Sequence, residues 1–317
     1  MNDNLRPLEK RVGRSSRQRP RGRVILPSDW IEKNIIVAPS DKYIAVPKEE
    51  YASLKNRNRN LSLVKTVFEQ ILNNRSNGRK MFNIVTKTWN PVTGCLHFCT
   101  YCWARNLATT KLKNSHRYRK GFKPSLNERE FRVKFGEGDF IFVSDMGDLF
   151  GDFMPSEWVL RVIEYIKHFP KSFFLFLTKN PDRYEKFLDI MPENAILGAT
   201  IETNRDSTYL ENTISRASLP SMRYVAMKKL EWDKKFISIE PILDFDFEVL
   251  SDWIEEIFPF MVYVGYDNYS NKLSEPPLSK TLRLLEEISK ITFVVKKTIR
   301  PAWFESLERH LGVHSEK

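Results

Sequence analysis

Cys95, Cys99 and Cys102 are the three cysteines of the chain, and they fall within eight residues, spaced C-x3-C-x2-C. An odd count at so tight a spacing does not make a disulfide framework. Soft thiolate donors gathered this closely select zinc or an iron–sulfur cluster. A closed zinc site needs a fourth ligand, and His97 is the residue inside the motif that offers one. A cubane held by three cysteines instead leaves one iron without a protein ligand, and an open iron is what a chemically active cluster requires. The spacing by itself admits both readings. No second cysteine cluster exists, so auxiliary iron–sulfur centres are excluded.

Either metal needs a scaffold that delivers the loop to a fixed place, and the rest of the chain has the pattern for one. Short apolar runs occur at Phe82–Val85, Phe140–Val143, Phe173–Leu177, Ala195–Ile201, Phe236–Ile239 and Met261–Val264, with Ile291–Val295 as a seventh. Helical patterns separate them at 102–113, 155–168, 181–190, 205–218, 246–257 and 278–289. This alternation predicts βαβ units around a parallel sheet, closed into a complete or partial barrel or left open and doubly wound. In a barrel, chemistry belongs to the loops after the strands. Polar residues stand at every such position: Thr86–Asn90 before the cysteines, Ser144, Asp145 and Asp148, Thr178 and Lys179, Glu202 to Asn204, Glu240, and Asp267 with Asn268. Loop starts are polar in any fold, so this pattern locates the candidates without assigning them.

With 317 residues and 41% hydrophobic content the chain can bury one large core, which excludes wholesale disorder. No apolar run approaches the ~18–20 residues needed to span a bilayer. No signal-peptide h-region is seen, and metal-type cysteines suit a reducing compartment, so a cytoplasmic location without membrane contact is expected. The net charge of +11 is unevenly placed. Residues 1–134 carry 29 Lys and Arg against 10 Asp and Glu, whereas residues 135–317 carry 22 against 30. The expected organisation is a basic arm over 1–25, an extension over 26–78 with a helix at 61–72, and a core over 79–317. A second basic stretch, 111–134, has nine Lys and Arg with His116, Tyr118 and Phe122 interspersed. The two basic stretches suit a polyanion, with nucleic acid as one candidate partner beside the plainer reading of solvated tail and connection.

The stretch TWNPVTGCLHFCTYCWAR (88–105) resembles the signature of the radical S-adenosyl-L-methionine (SAM) superfamily, C-x3-C-x-aromatic-C, with Tyr101 as the aromatic. The resemblance implies a partial (β/α)6 TIM-like barrel, which decides between barrel and open sheet. It implies that Cys95, Cys99 and Cys102 hold a 4Fe-4S cluster supplied by a reducing electron donor. SAM bound there is cleaved to a 5′-deoxyadenosyl radical that abstracts hydrogen from a substrate. Tyr101 and Trp103 then lie near the adenine, with His97 and Phe98 covering the cluster. VSDMGDLF (143–150) and FLTKN (176–180) are similar to segments of spore photoproduct lyases that hold the methionine end of SAM. Carried over, Ser144 contacts the amino acid moiety and Lys179 the carboxylate; the plain alternative makes Lys179 a surface lysine opening a loop. By analogy Glu202, with Asn204, hydrogen-bonds the ribose. Glu240 faces cofactor or substrate, or is a structural carboxylate paired with a cation. Asp145 and Asp148 are candidates for substrate contact or general acid–base work.

Across residues 80–300 the chain also resembles a phage-associated and archaeal radical SAM family without established function, on WNPVTGC (89–95), SDMGDLF (144–150), LTKNP (177–181), IETN (201–204) and ISIEP (237–241). It departs from many of those relatives in its short spacing between the first two cysteines. It departs from spore photoproduct lyase in having no further cysteine to donate a hydrogen atom, which argues against thymine-dimer repair by that route. The expected function is a radical SAM enzyme of unidentified substrate, with nucleic acid as one candidate. The alternative is a zinc- or iron–sulfur-containing nucleic-acid-binding protein without catalysis.

Overall fold

The computed structural model describes residues 84–305. The expected basic arm, the extension over 26–78 and both outer ends of the core lie outside the described residues. Seven strands form one sheet: β1 (Lys87–Trp89), β4 (Phe140–Val143), β5 (Phe173–Thr178), β6 (Ala195–Thr200), β7 (Lys235–Ile239), β8 (Met261–Val264) and β9 (Phe293–Lys296). Each pairs in parallel with the next in that order. Between β1 and β4, the short strands β2 (Val92–Thr93) and β3 (Ser125–Leu126) form an antiparallel pair. The sheet is curled into a half-barrel, with β1 and β9 as its outer strands among the described residues. The partial barrel read from the sequence is the observed architecture.

The strands are near-continuous apolar runs because both faces are covered. Alternate residues go to different cores. Ile141, Val143, Phe174, Phe176, Ile237 and Val262 face one core together with Val159, Val162, Ile163 and Ile166 of α2 (Ser156–Ile166). The same core takes Leu250, Ile254 and Ile257 from α5 (Phe247–Ile257) and Leu284, Leu285 and Ile288 from α6 (Leu278–Ser289). Phe140, Phe142, Leu175, Ile196, Phe236, Met261 and Tyr263 face a second core inside the curl. Ile84, Val85 and Phe260 join that inner core, so its N-terminal side is filled. The space left over is at the C-terminal ends of the strands.

Two expectations change. The first strand is Lys87–Trp89 rather than Phe82–Val85, because an edge strand needs to bury only one residue, Trp89, while Ile84 and Val85 plug the inner core. Phe82 lies outside the described residues. The seventh strand is real, as β9. The helix expected at 205–218 is a short α3 (Asp206–Glu211), followed by an unanticipated α4 (Pro220–Lys229). Helix α4 escapes apolar periodicity because its buried face carries Arg223 alongside Ala226 and Met227. Among the described residues, no helix is long and apolar enough to cross a membrane.

Candidate functional site

The cysteine loop is fixed where β1 meets β4. Gly94 has φ +90°, and a Cβ there would stand 2.1 Å from the Lys123 carbonyl oxygen, so only glycine lets the two backbones approach. Its N–H donates to the Met146 carbonyl at 2.9 Å, and the Cys95 N–H donates to the Phe122 carbonyl at 3.3 Å. Thus the loop is clamped between the end of β4 and the basic segment that follows α1 (Trp103–Thr109). Cys102 caps α1, its Sγ accepting from the Arg105 N–H at 3.3 Å. Cys95 Sγ accepts from the His97 N–H at 3.4 Å, and Cys99 Sγ lies 3.2 Å from Ser215 Oγ.

All three half-buried thiols line one cavity of about 640 Å³ at the C-terminal mouth of the half-barrel. Tyr101, Trp103, Asp145, Asp148, Lys179 and Glu240 line it too. Burial pushes the Cys95 and Cys102 thiols up, with the Asp148 charge adding at Cys95. The fold therefore holds them neutral, and a bound metal would have to displace their protons. Among the described residues no three His, Cys, Asp or Glu side chains already converge as a metal site.

His97 lines the cavity as well. Its Nε2 lies 2.9 Å from Asp148 Oδ2, and its ring packs edge-on against Phe153. Asp148 also accepts from Thr178 Oγ1 at 2.7 Å, the Lys179 N–H at 2.9 Å and the Phe150 N–H at 3.1 Å. Burial raises its pKa, but His97 and these donors outweigh burial and hold the carboxyl below its ordinary range. This corrects the acid–base expectation for Asp148: its lone pairs are filled, and it ties the cysteine loop to the ends of β4 and β5.

Beneath Lys179 sits a buried charge cluster. Its ammonium donates to Glu202 and, at 2.6 Å, to the Tyr101 hydroxyl, which itself donates to Glu202. The other Glu202 oxygen accepts from Arg223 at 2.6 Å, and Arg223 also donates to Tyr209 at 2.6 Å. Glu202 and Arg223 are fully buried. Burial would raise the Glu202 pKa, yet Arg223 and Lys179 bring it down to about 2. Two cations against one carboxylate leave one positive charge at the cavity wall. Glu202 is hence a support for Lys179 and Tyr101 rather than a group facing the cavity, as the ribose expectation required. Asn204 turns away as well, accepting from the Asp246 N–H at 2.8 Å at the start of α5. Arg223 and Tyr209 carried no sequence signal, since no motif surrounds them.

The remaining expected residues split. Ser144 is buried at φ +56° and its hydroxyl has no partner, an orphan polar atom of the kind a ligand satisfies. Asp145 accepts from Asn90 at 2.5 Å, and burial pushes its carboxyl up. Burial likewise raises Glu240, partly offset by Lys297, whose Nζ lies 3.2 Å away. Lys297 and Tyr269 line the cavity without having been singled out by the sequence.

Fold and site together define a parallel α/β half-barrel with three thiols at its C-terminal mouth. The chain belongs to the family described as "Protein of unknown function (DUF5131)", which matches residues 80–255. Among solved structures it is similar to a spore photoproduct lyase double mutant with bound AdoMet and dinucleoside spore photoproduct, at TM-score 0.44 and 16% identity over 63% of this chain and 59% of that one. A spore photoproduct lyase complexed with dinucleoside spore photoproduct matches at TM-score 0.42 and 15% identity over 62% and 58%. A further mutant of that enzyme matches at TM-score 0.44 and 15% identity over 69% and 65%. The chain thus spans less than two thirds of the length of these enzymes. No curated protein matches it in sequence.

Proposed function

We propose that this chain is a radical SAM enzyme whose 4Fe-4S cluster is held by Cys95, Cys99 and Cys102. The observation that carries the reading is that three thiols line one cavity at the C-terminal mouth of a parallel half-barrel. The donor set fits: three soft ligands suit a cluster with one open iron. The bound cluster supplies the electron that splits the sulfonium of SAM into methionine and a 5′-deoxyadenosyl radical.

The chain's own residues bind and orient. Lys179, backed by the surplus charge of the Glu202 and Arg223 cluster, offers the cavity a cation for a carboxylate. Tyr101 and Trp103 bring aromatic surface to the wall, and Ser144, buried beside the lining residue Asp145, keeps an unpartnered hydroxyl. Asp145 and Glu240 are the lining carboxyl groups whose pKa burial raises, suited to hold a proton against a polar substrate group.

Anaerobic reconstitution with iron and sulfide tests this. The expected protein carries iron and sulfide in equal number, filling one 4Fe-4S cluster, and its reduced EPR spectrum shifts when SAM is added. Zinc without sulfide, or a cluster whose spectrum ignores SAM, would contradict the proposal.

A further inference from the structure

Residues 96–127 contain seven Lys and Arg and no Asp or Glu. Arg117 meets Glu130 at 2.7 Å, and Arg105 donates to the Cys95 carbonyl. Lys111, Lys113, Arg119, Lys120 and Lys123 are exposed, and among the described residues their side chains meet no carboxylate. In the acidic half, by contrast, Arg161, Lys171, Arg205 and Lys280 each hold one. Five unmatched cations on one short segment repel each other and attract a polyanion.

This segment is built onto the site. Tyr118 and Phe122 are buried against Ala104 and Ala108 of α1, and Phe122 both accepts from the Cys95 N–H and lines the cavity. Tyr269, which follows β8, also lines the cavity, yet it is 62% exposed. Tyr184, Tyr209, Tyr263 and Tyr266 are all buried, so an open tyrosine ring at the mouth stands out. A cationic segment joined to the cavity through Phe122 and an exposed aromatic ring at the mouth match a charged backbone carrying flat bases.

We propose that Lys111, Lys113, Arg119, Lys120 and Lys123 bind the phosphate backbone of a single-stranded nucleic acid, with Tyr269 stacking a base at the cavity mouth. The proposal deepens the radical SAM reading by naming its substrate class, and rests on it for the chemistry alone. A single strand is favoured over a duplex because a base must leave its stack to reach a cavity. It is favoured over an acidic protein because an exposed stacking ring serves a base and not a carboxylate.

The test is fluorescence anisotropy with the full chain and labelled single-stranded RNA and DNA of about 16 nucleotides. Duplex of the same sequence and polyglutamate of matched charge serve as competitors. Five backbone contacts give a log–log salt slope of about −3.5, or roughly 100-fold weaker binding between about 50 and 200 mM salt. Exchanging Lys111, Lys120 and Lys123 for Gln removes about 2 from that slope. Any contacts made by residues 1–25 enter both proteins equally and cancel in the difference. Tyr269→Ala weakens single-strand binding about 5- to 100-fold while leaving polyglutamate binding unchanged. An unchanged slope in the triple variant overturns the proposal, as does tighter binding of duplex than of single strand. Polyglutamate competing as well as the strand, with Tyr269→Ala silent, reassigns the rim to an acidic protein. These readouts need no cluster: binding without SAM cleavage would leave a nucleic-acid-binding protein, and cleavage without binding an enzyme for another substrate.

Discussion

Arg223→Met removes the cation that anchors the charge cluster under the cavity. In the folded protein this guanidinium donates to Glu202 at 2.6 Å, Tyr209 at 2.6 Å, and the carbonyls of Ser218 at 2.7 Å and Thr200 at 2.9 Å. Glu202 cannot turn to water, because it and Arg223 are fully buried. Breaking one partner of a buried pair costs about 3–5 kcal/mol, chiefly the desolvated charge left behind. With a urea slope of about 3 kcal/mol per M, the unfolding midpoint falls by about 1–1.7 M. Glu202→Gln should cost a similar amount, since Lys179 and Arg223 then face each other without their carboxylate. Combined, the two changes should fall short of additivity by about 1–3 kcal/mol, as neighbours in one network do. The assay is urea unfolding of metal-free protein under reducing conditions, so that cluster binding adds nothing. A midpoint shift below about 0.3 M for Arg223→Met, or strict additivity in the double variant, would refute the account of the cluster.

Gly94→Ala should abolish iron loading while the helical circular dichroism survives, because the new Cβ cannot fit 2.1 Å from the Lys123 carbonyl and the cysteine loop must move. Iron content after reconstitution checks this. Trp89→Ala should cost about 3–5 kcal/mol in urea unfolding. Its fully buried ring stacks on Tyr165, and its Nε1 donates to the Glu130 carbonyl at 2.9 Å. Glu202 is held at about 2 against an ordinary 4.5, a depressed acid, so its stabilisation is complete above pH 4.5 and is lost as pH falls towards 2. That group supplies about 3 kcal/mol, and Asp148 acts with the same sign. Acid titration of stability should therefore be steep below pH 4.5 and visibly flatter in Glu202→Gln.

The sequence shows what periodicity and motif spacing can carry. Strands β4 and β8 match their apolar runs residue for residue; the alternation of runs and helical patterns points to a parallel α/β sheet, and the motif resemblance, not the alternation, chooses the partial barrel. The polar ends of those runs do gather at one cavity, from the cysteines to Glu240. Direction is what a sequence cannot give. Glu202 and Asn204 stand beside each other after β6, yet one turns to Arg223 beneath the cavity and the other to α5. Asp148 looks like an acid–base candidate until its four donors are seen. Arg223 was hidden because a buried arginine breaks the apolar stripe that marks a helix face, and its role exists only through Glu202, 21 residues away. Edge strand β1 was misplaced for a related reason: pairing with Ile141 to Val143, not apolar content, makes Lys87–Trp89 a strand.

The central claim is that the thiol-lined cavity performs reductive cleavage of SAM. Its most direct measurement is 5′-deoxyadenosine, quantified by chromatography after the anaerobically reconstituted protein is given dithionite and SAM. The account predicts that 5′-deoxyadenosine and methionine appear in equal amounts, and that both vanish in Cys99→Ala. Intact SAM in the presence of a fully loaded cluster would contradict it.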